Sequence, residues 1–168
     1  MFRDNISPKF IELKKMEFYE IQKYLIDQLS TQDDSKQILG NFLLHIKTKE
    51  NVAAIDRLNT LDFESDVDSI ERTIANIIEL HPPRKKIKGY WFGIFETTEG
   101  YQAHLVGSNK ASLNDEAAEW AVEPEYAPEN RYIESNVLRI LPQIESDTED
   151  IAIKYFSLWY LLIAVSSF

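Results

Sequence analysis

Lys88 to Val106 reads KGYWFGIFETTEGYQAHLV, and this stretch decides the fold class of the chain. Its first half is dense in aromatic and β-forming residues, which favours a strand. Glu99-Gly100 supplies a turn, after which Tyr101 to Val106 returns as a second strand. Residues 117–122 are a candidate third strand or a single helical turn. The sequence therefore predicts a β-hairpin or a three-stranded meander over about 88–122.

The turn also sets a predicted strand register. If Glu99-Gly100 is a two-residue loop, Phe95 pairs with His104 and Ile94 pairs with Leu105. Both faces of the hairpin are then apolar at the centre, which predicts that other elements cover it on both sides.

Helical periodicity precedes the hairpin. Apolar residues recur at helical spacing in three segments, over about 8–29, 35–48 and 65–81. Ser7-Pro8 is a favourable start for the first helix, and Pro82-Pro83 ends the third. Residues 51–64 are compatible with a short helix and a turn.

Two further apolar segments follow the hairpin. Residues 133–144 carry a pattern typical of a short helix or of an edge strand. Ser146 and Glu149 form a capping box that predicts a helix over about 147–166. Lys154 interrupts its apolar run, so a buried core helix is expected rather than a membrane anchor. The whole pattern predicts a single globular α+β domain over residues 1–168.

The charge balance restricts the possible partners. Lysine and arginine number 18 and aspartate and glutamate number 28, so the formal net charge is −10. This excess repels nucleic acid and anionic membranes, and it attracts basic proteins. A role in solubility alone is the competing explanation. The chain has no cysteine, and Met1 to Asn5 does not begin a signal peptide, so a cytoplasmic location is expected.

No catalytic signature is present. His45, His81 and His104 have no metal-ligand spacing, and no nucleophile motif or phosphate-binding loop occurs. We therefore expect no metal, no cofactor and no enzymatic activity. A carboxylate-dependent hydrolase stays open, because sequence cannot show which acids converge. That alternative predicts a deep cleft in which at least two acids meet.

The acidic segment, residues 115–134, contains seven acids and one base, Arg131. Aromatic residues and prolines lie between the acids, as in a rigid surface that binds a basic partner. The predicted partner-binding residues are Asp115, Glu116, Glu119, Trp120, Glu123, Glu125, Tyr126 and Glu129. A solvated loop, with Trp120 and Tyr132 in the core, is the alternative. The basic cluster Arg84, Lys85, Lys86 and Lys88 is expected to be ion-paired or solvated.

Two stretches carry a family resemblance. WFGIFETTEGYQAHLVGSN (Trp91–Asn109) and DEAAEWAVEPEYAPEN (Asp115–Asn130) resemble bacterial immunity proteins of polymorphic or contact-dependent growth-inhibition toxin systems. The resemblance implies a small cytoplasmic protein that occludes the active site of a cognate toxin domain. A structural or regulatory subunit that oligomerises through its C-terminal helix is a further alternative. The oligomeric state is not predicted.

Overall fold

The chain has an α+β fold, as the sequence predicted. The computed structural model describes residues 8–31, 34–112 and 121–166, with side chains in the first helix from Glu17 onward. Its elements are α1 (Pro8–Leu29), α2 (Ser35–Ile46), α3 (Val52–Leu58), α4 (Phe63–Leu80), β1 (Gly89–Thr97), β2 (Gly100–Ser108), β3 (Tyr132–Ile133), α5 (Asn136–Glu145), α6 (Ile151–Lys154) and α7 (Phe156–Ala164). The chain forms two compact units, Met1–Leu61 with Gln143–Ser167, and Asp62–Pro142.

The first unit is helical. In it α1 packs on α2 and α6, and α7 packs on α2. Large apolar side chains, among them Leu25, Phe42, Phe156 and Tyr160, are completely buried. Each side chain of this size contributes about 1.5–3 kcal/mol on burial, so these contacts hold the helices together.

The predicted C-terminal helix is broken into two. Asp150, rather than the predicted Ser146, caps the first piece by accepting a hydrogen bond from the Ile153 amide at 3.1 Å. Tyr155 then leaves the helical conformation, with φ −118° and ψ 24°. The buried Glu145 carboxylate accepts a bond from the Ser157 amide at 2.6 Å, which satisfies the start of α7.

The C-terminal helices are buried on most sides, but α7 keeps one open face. Tyr155, Leu158 and Leu162 are exposed on it, while the rest of the helix contributes to the core. Within the described residues, no helix is long and apolar enough to cross a membrane.

The second unit begins with α4, which starts two residues before the predicted position. The Asp62 side chain accepts a bond from the Ser65 amide at 3.1 Å, so Asp62 is the N-cap. The helix ends at Leu80, because Pro82 disfavours helical conformation at His81.

The hairpin register differs from the predicted one. Gly93 pairs with His104 and Phe95 pairs with Gln102, so the two-residue loop is Thr98-Glu99. The Thr97 hydroxyl closes this turn, because it donates to the Gly100 carbonyl at 2.8 Å and accepts from the Glu99 amide. Gly100 has φ 116° and is the first residue of β2 rather than part of the loop.

The third strand is Tyr132–Ile133, which pairs antiparallel with Ala103 and His104 of β2. The candidate strand 117–122 lies outside the described residues, except for 121 and 122, which are not in a strand. Residues 133–144 thus combine both predicted alternatives, a strand residue at Ile133 followed by α5.

The two sheet faces are covered unequally, although the sequence predicted cover on both. Ala103, Leu105 and Ile133 are completely buried on the covered face. Alternate residues point to the opposite face, where Trp91 and Tyr132 are each 43% exposed. We call this opposite surface the open sheet face.

Candidate functional site

The acidic segment is described from residue 121 onward. Asp115, Glu116, Glu119 and Trp120 lie outside the described residues. Glu123, Glu129 and Glu134 are exposed, and none forms an ion pair with a described residue. These three carboxylates are the described members of the segment whose charges face solvent.

Glu125 belongs to a local network rather than to the solvated set. Its carboxylate accepts hydrogen bonds from the Ser108 hydroxyl and from the Asn109 amide, and it forms an ion pair with Lys110 at 3.2 Å. The Ser108 bond, together with the Lys110 and Asn109 contacts, lowers the pKa of Glu125 to about 2. This network anchors the acidic segment to the end of β2.

Tyr126 is buried, with 7% of its surface exposed. Its amide and carbonyl exchange two hydrogen bonds with Gly107, at 2.9 and 2.8 Å. Its ring meets the Tyr90 ring edge-on, at a centroid distance of 6.2 Å. Burial raises the pKa of the Tyr126 hydroxyl, and the nearby Tyr90 raises it further. Tyr126 therefore positions the acidic segment on the hairpin, and little of its ring is open to a partner.

The open sheet face carries a row of aromatic side chains. The Phe95 ring lies 5.8 Å from the His104 ring and 5.9 Å from the Tyr132 ring. The Arg131 guanidinium lies over the Tyr132 ring at 5.2 Å, a cation–π geometry. Tyr132 was a core candidate in one reading of the sequence; it is instead partly open to solvent.

His104 lies in the middle of this face, above a residue that has no side chain. A Cβ at Gly93 would approach the imidazole Cε1 to 2.4 Å, so the His104 ring would have to shift if this residue carried a side chain. The imidazole Nδ1 is buried without a hydrogen-bond partner. Burial lowers the pKa of His104, and the positive charge of Arg131 lowers it further. The ring is therefore neutral near pH 7 and packs as an aromatic group.

A groove of about 670 Å³ separates two segments of the second unit. One wall contains residues 81–85 and Ile87, and the other contains residues 125–128. We call it the basic groove, because Arg84 and Lys85 line it and neither is ion-paired with a described residue. The sequence predicts that this basic cluster is solvated or ion-paired. Four bases after two prolines in an acidic chain were the signal that could have found it.

The geometry bears on the hydrolase alternative. Only one carboxylate, Glu125, lines the basic groove, and it is already bound to Ser108 and Lys110. Among the described residues, no group of three histidine, aspartate or glutamate side chains could hold a metal ion. His45 stacks on Tyr24, with the ring centroids 3.5 Å apart, and does not line the basic groove. His81 is the histidine that lines it. The basic groove thus lacks the two-carboxylate cleft that a hydrolase requires, whereas a smaller pocket of about 160 Å³ in the first unit is lined by three acids, Glu17, Glu20 and Asp150.

No protein-family model matches the chain, and comparisons with curated proteins and with solved structures found no significant match.

Proposed function

We propose that this chain is a protein-binding module that docks a basic partner on an acidic–aromatic surface. We define this surface as Trp91 and Tyr132 of the open sheet face together with Glu123, Glu129 and Glu134. The observation that supports it best is that, in one short stretch of chain, exposed carboxylates that pair with no described residue occur together with a half-exposed tyrosine. More specifically, we propose that the chain is an immunity protein that neutralises a toxin domain.

The aromatic part of the surface would supply affinity. Trp91 and Tyr132 are held on a sheet, so a partner that covers them removes large apolar area from water without ordering a loop. The Arg131 contact further restricts the Tyr132 ring. Rigid aromatic side chains of this kind are frequent among the residues that dominate binding energy in interfaces.

The carboxylates would raise the association rate and favour basic partners over other proteins. A net charge of −10 accelerates encounters with a basic protein, and the exposed carboxylates of Glu123, Glu129 and Glu134 would orient its approach. Glu125 and Tyr126, two of the residues predicted to bind the partner, have a supporting role in this proposal, because they hold the segment on the hairpin. Asp115, Glu116, Glu119 and Trp120 remain predicted contacts.

The experiment uses the protein encoded by the adjacent gene as the partner. Charge reversal of Glu123, Glu129 and Glu134 to lysine should slow its association about tenfold at low salt and flatten the salt dependence. A matched control reverses Glu20, Glu50 and Asp56, three exposed acids of the first unit, which changes the net charge equally. Stopped-flow association kinetics separate local steering from net charge. Equal slowing in both variants would remove this surface from the proposal.

The toxin-neutralising form has a cellular test. Expression of the adjacent gene product alone should arrest growth, and co-expression of this chain should restore it. Trp91→Ala with Tyr132→Ala should reduce that rescue while leaving the thermal unfolding midpoint of the chain within a few degrees of wild type. Full rescue by the double variant would remove the aromatic row from the interface.

An oligomeric subunit is the remaining alternative from the sequence. Exposure of Leu158 and Leu162 on α7 is the observation that favours it. Light scattering at high concentration decides the matter, because a strict monomer would exclude self-association through this helix.

A further inference from the structure

We propose that the basic groove binds an extended peptide segment of a protein partner, with a carboxylate side chain of that segment held by Arg84 and Lys85. This inference rests on the proposed function in one respect, because both require that the chain binds a protein partner. Its chemistry is separate, because the occupant of the groove is acidic whereas the acidic–aromatic surface attracts bases.

The first support is local charge. The chain contains 28 acids, yet Arg84 and Lys85 are exposed and have no ion pair with a described residue. The one carboxylate in the groove, Glu125, is neutralised by Lys110. Screening limits charge effects to about 8 Å at physiological salt, so these two exposed cations act mainly on a ligand carboxylate that contacts them.

The second support is the rigidity of the walls. Three prolines line the groove, Pro82 and Pro83 on one wall and Pro128 on the other, and each restricts its own backbone. Tyr126 is joined to Gly107 by two backbone hydrogen bonds, which fix the second wall to the sheet. A site that is already ordered loses little entropy when a peptide binds.

The third support is size and lining. A volume of about 670 Å³ lies within the range of about 300–1,000 Å³ that is usual for ligand sites. Ile87, Ala127 and Pro128 offer apolar contacts beside the two cations. A short extended segment that alternates apolar and acidic side chains would satisfy both parts of the lining.

Nucleic acid fits the groove less well than a peptide. Single strands carry a charge on every nucleotide, and their binding draws on many cations and on exposed aromatic platforms. The groove offers two cations, and of its two aromatic rings Tyr126 is buried, which leaves only the imidazole of His81 exposed. A single carboxylate can pair with both cations, and it brings less negative charge close to the surrounding acids than a nucleic acid strand would.

The test measures fluorescence anisotropy with the full chain and three labelled probes. The probes are a decapeptide that alternates glutamate with leucine, the same peptide with lysine in place of glutamate, and a thymidine decamer. We expect saturable binding of the glutamate peptide only. Stronger binding of the thymidine strand, equal binding of both peptides, or no binding of the glutamate peptide would each overturn the inference.

Matched variants locate the site. Arg84→Glu with Lys85→Glu should weaken binding of the glutamate peptide about tenfold, since both charge-assisted contacts to its carboxylate are lost. Lys47→Glu with Lys49→Glu, at exposed positions of the first unit, changes the net charge equally and should have less than about a twofold effect. Circular dichroism checks that each variant is folded. Equal weakening by both pairs would show a net-charge effect and overturn the assignment to the groove.

The two proposals fail separately. Loss of glutamate-peptide binding concerns the groove alone. The acidic–aromatic surface alone is tested by the association kinetics of the adjacent gene product with the charge-reversed variant of Glu123, Glu129 and Glu134. That variant should still bind the glutamate peptide.

Discussion

Gly100 is restricted to glycine by two independent features. Its φ of 116° is strained for a residue with a side chain, and an added Cβ would lie 2.2 Å from the Arg139 carbonyl oxygen. We expect Gly100→Ala to lower the free energy of unfolding by about 3 kcal/mol or more, measured by urea denaturation. Gly40→Ala is the control, because Gly40 is exposed in α2 with no atom within 4 Å of the added methyl. It should stabilise the chain by about 0.5–1 kcal/mol, and similar losses in both variants would contradict this account.

Glu125 makes the stability of the second unit depend on pH. Its pKa is about 2 in the folded chain and 4.5 in the unfolded reference, so its ionised form stabilises the fold fully above pH 4.5. That stabilisation is lost as the pH falls from 4.5 toward 2. The destabilisation caused by Glu125→Gln should therefore shrink over this interval, measured by denaturation at several pH values. An NMR titration of Glu125 with its midpoint near 4.5 would contradict the network.

The roles of single residues were the hardest feature to predict from sequence. Glu125 and Tyr126 were expected on the partner-binding surface, but Ser108 and Gly107 bind them. These partners lie 17 and 19 positions earlier in the chain, beyond the reach of any local pattern. Glu123 and Glu129 are exposed and pair with no described cation, and their role in partner binding stays a prediction.

At the scale of elements, Asp66 of α4 holds the start of α5. Its buried carboxylate accepts bonds from the Ser135 hydroxyl at 2.5 Å and from the amides of Asn136 at 2.7 Å and Val137 at 3.3 Å. We expect Asp66→Ala to cost about 3 kcal/mol, because it leaves these donors without their acceptor. Asp62→Ala, which removes an exposed cap from the same helix, should cost about 1 kcal/mol. Thermal unfolding of both variants makes the comparison, and a larger loss for Asp62→Ala would contradict this role of Asp66.

Helix positions were predictable because their signals are local. The predicted ends of α1, α2 and α4 lie within about two residues of the observed ones. The prediction used the spacing of apolar residues together with Pro8 and Pro82. The break at Tyr155 was not predictable, because the segment is apolar on both sides of it. The break depends on two carboxylates, Asp150 and Glu145, that cap the two pieces, and Glu145 reaches Ser157 from another helix.

At the scale of the whole molecule, the net charge of −10 opposes compaction through self-repulsion. Moderate salt should therefore raise the thermal unfolding midpoint by about 2–4 °C relative to low salt, since it screens this repulsion. The triple lysine variant of Glu123, Glu129 and Glu134, with its net charge reduced, should gain less. A midpoint that falls steadily with salt would indicate that ion pairs such as Arg57–Asp147 outweigh the repulsion.

The sequence by itself determined the α+β class, the main helices, the hairpin and the excess of acids. It could do so because periodicity, capping and proline effects act within a few residues, and because charge is additive. Only the tertiary structure decided the hairpin register, the strand Tyr132–Ile133, the open sheet face and the basic groove. Each of these depends on contacts between residues far apart in the chain, as where Gly100 meets the Arg139 backbone, and many sequences of similar local pattern could satisfy such contacts differently.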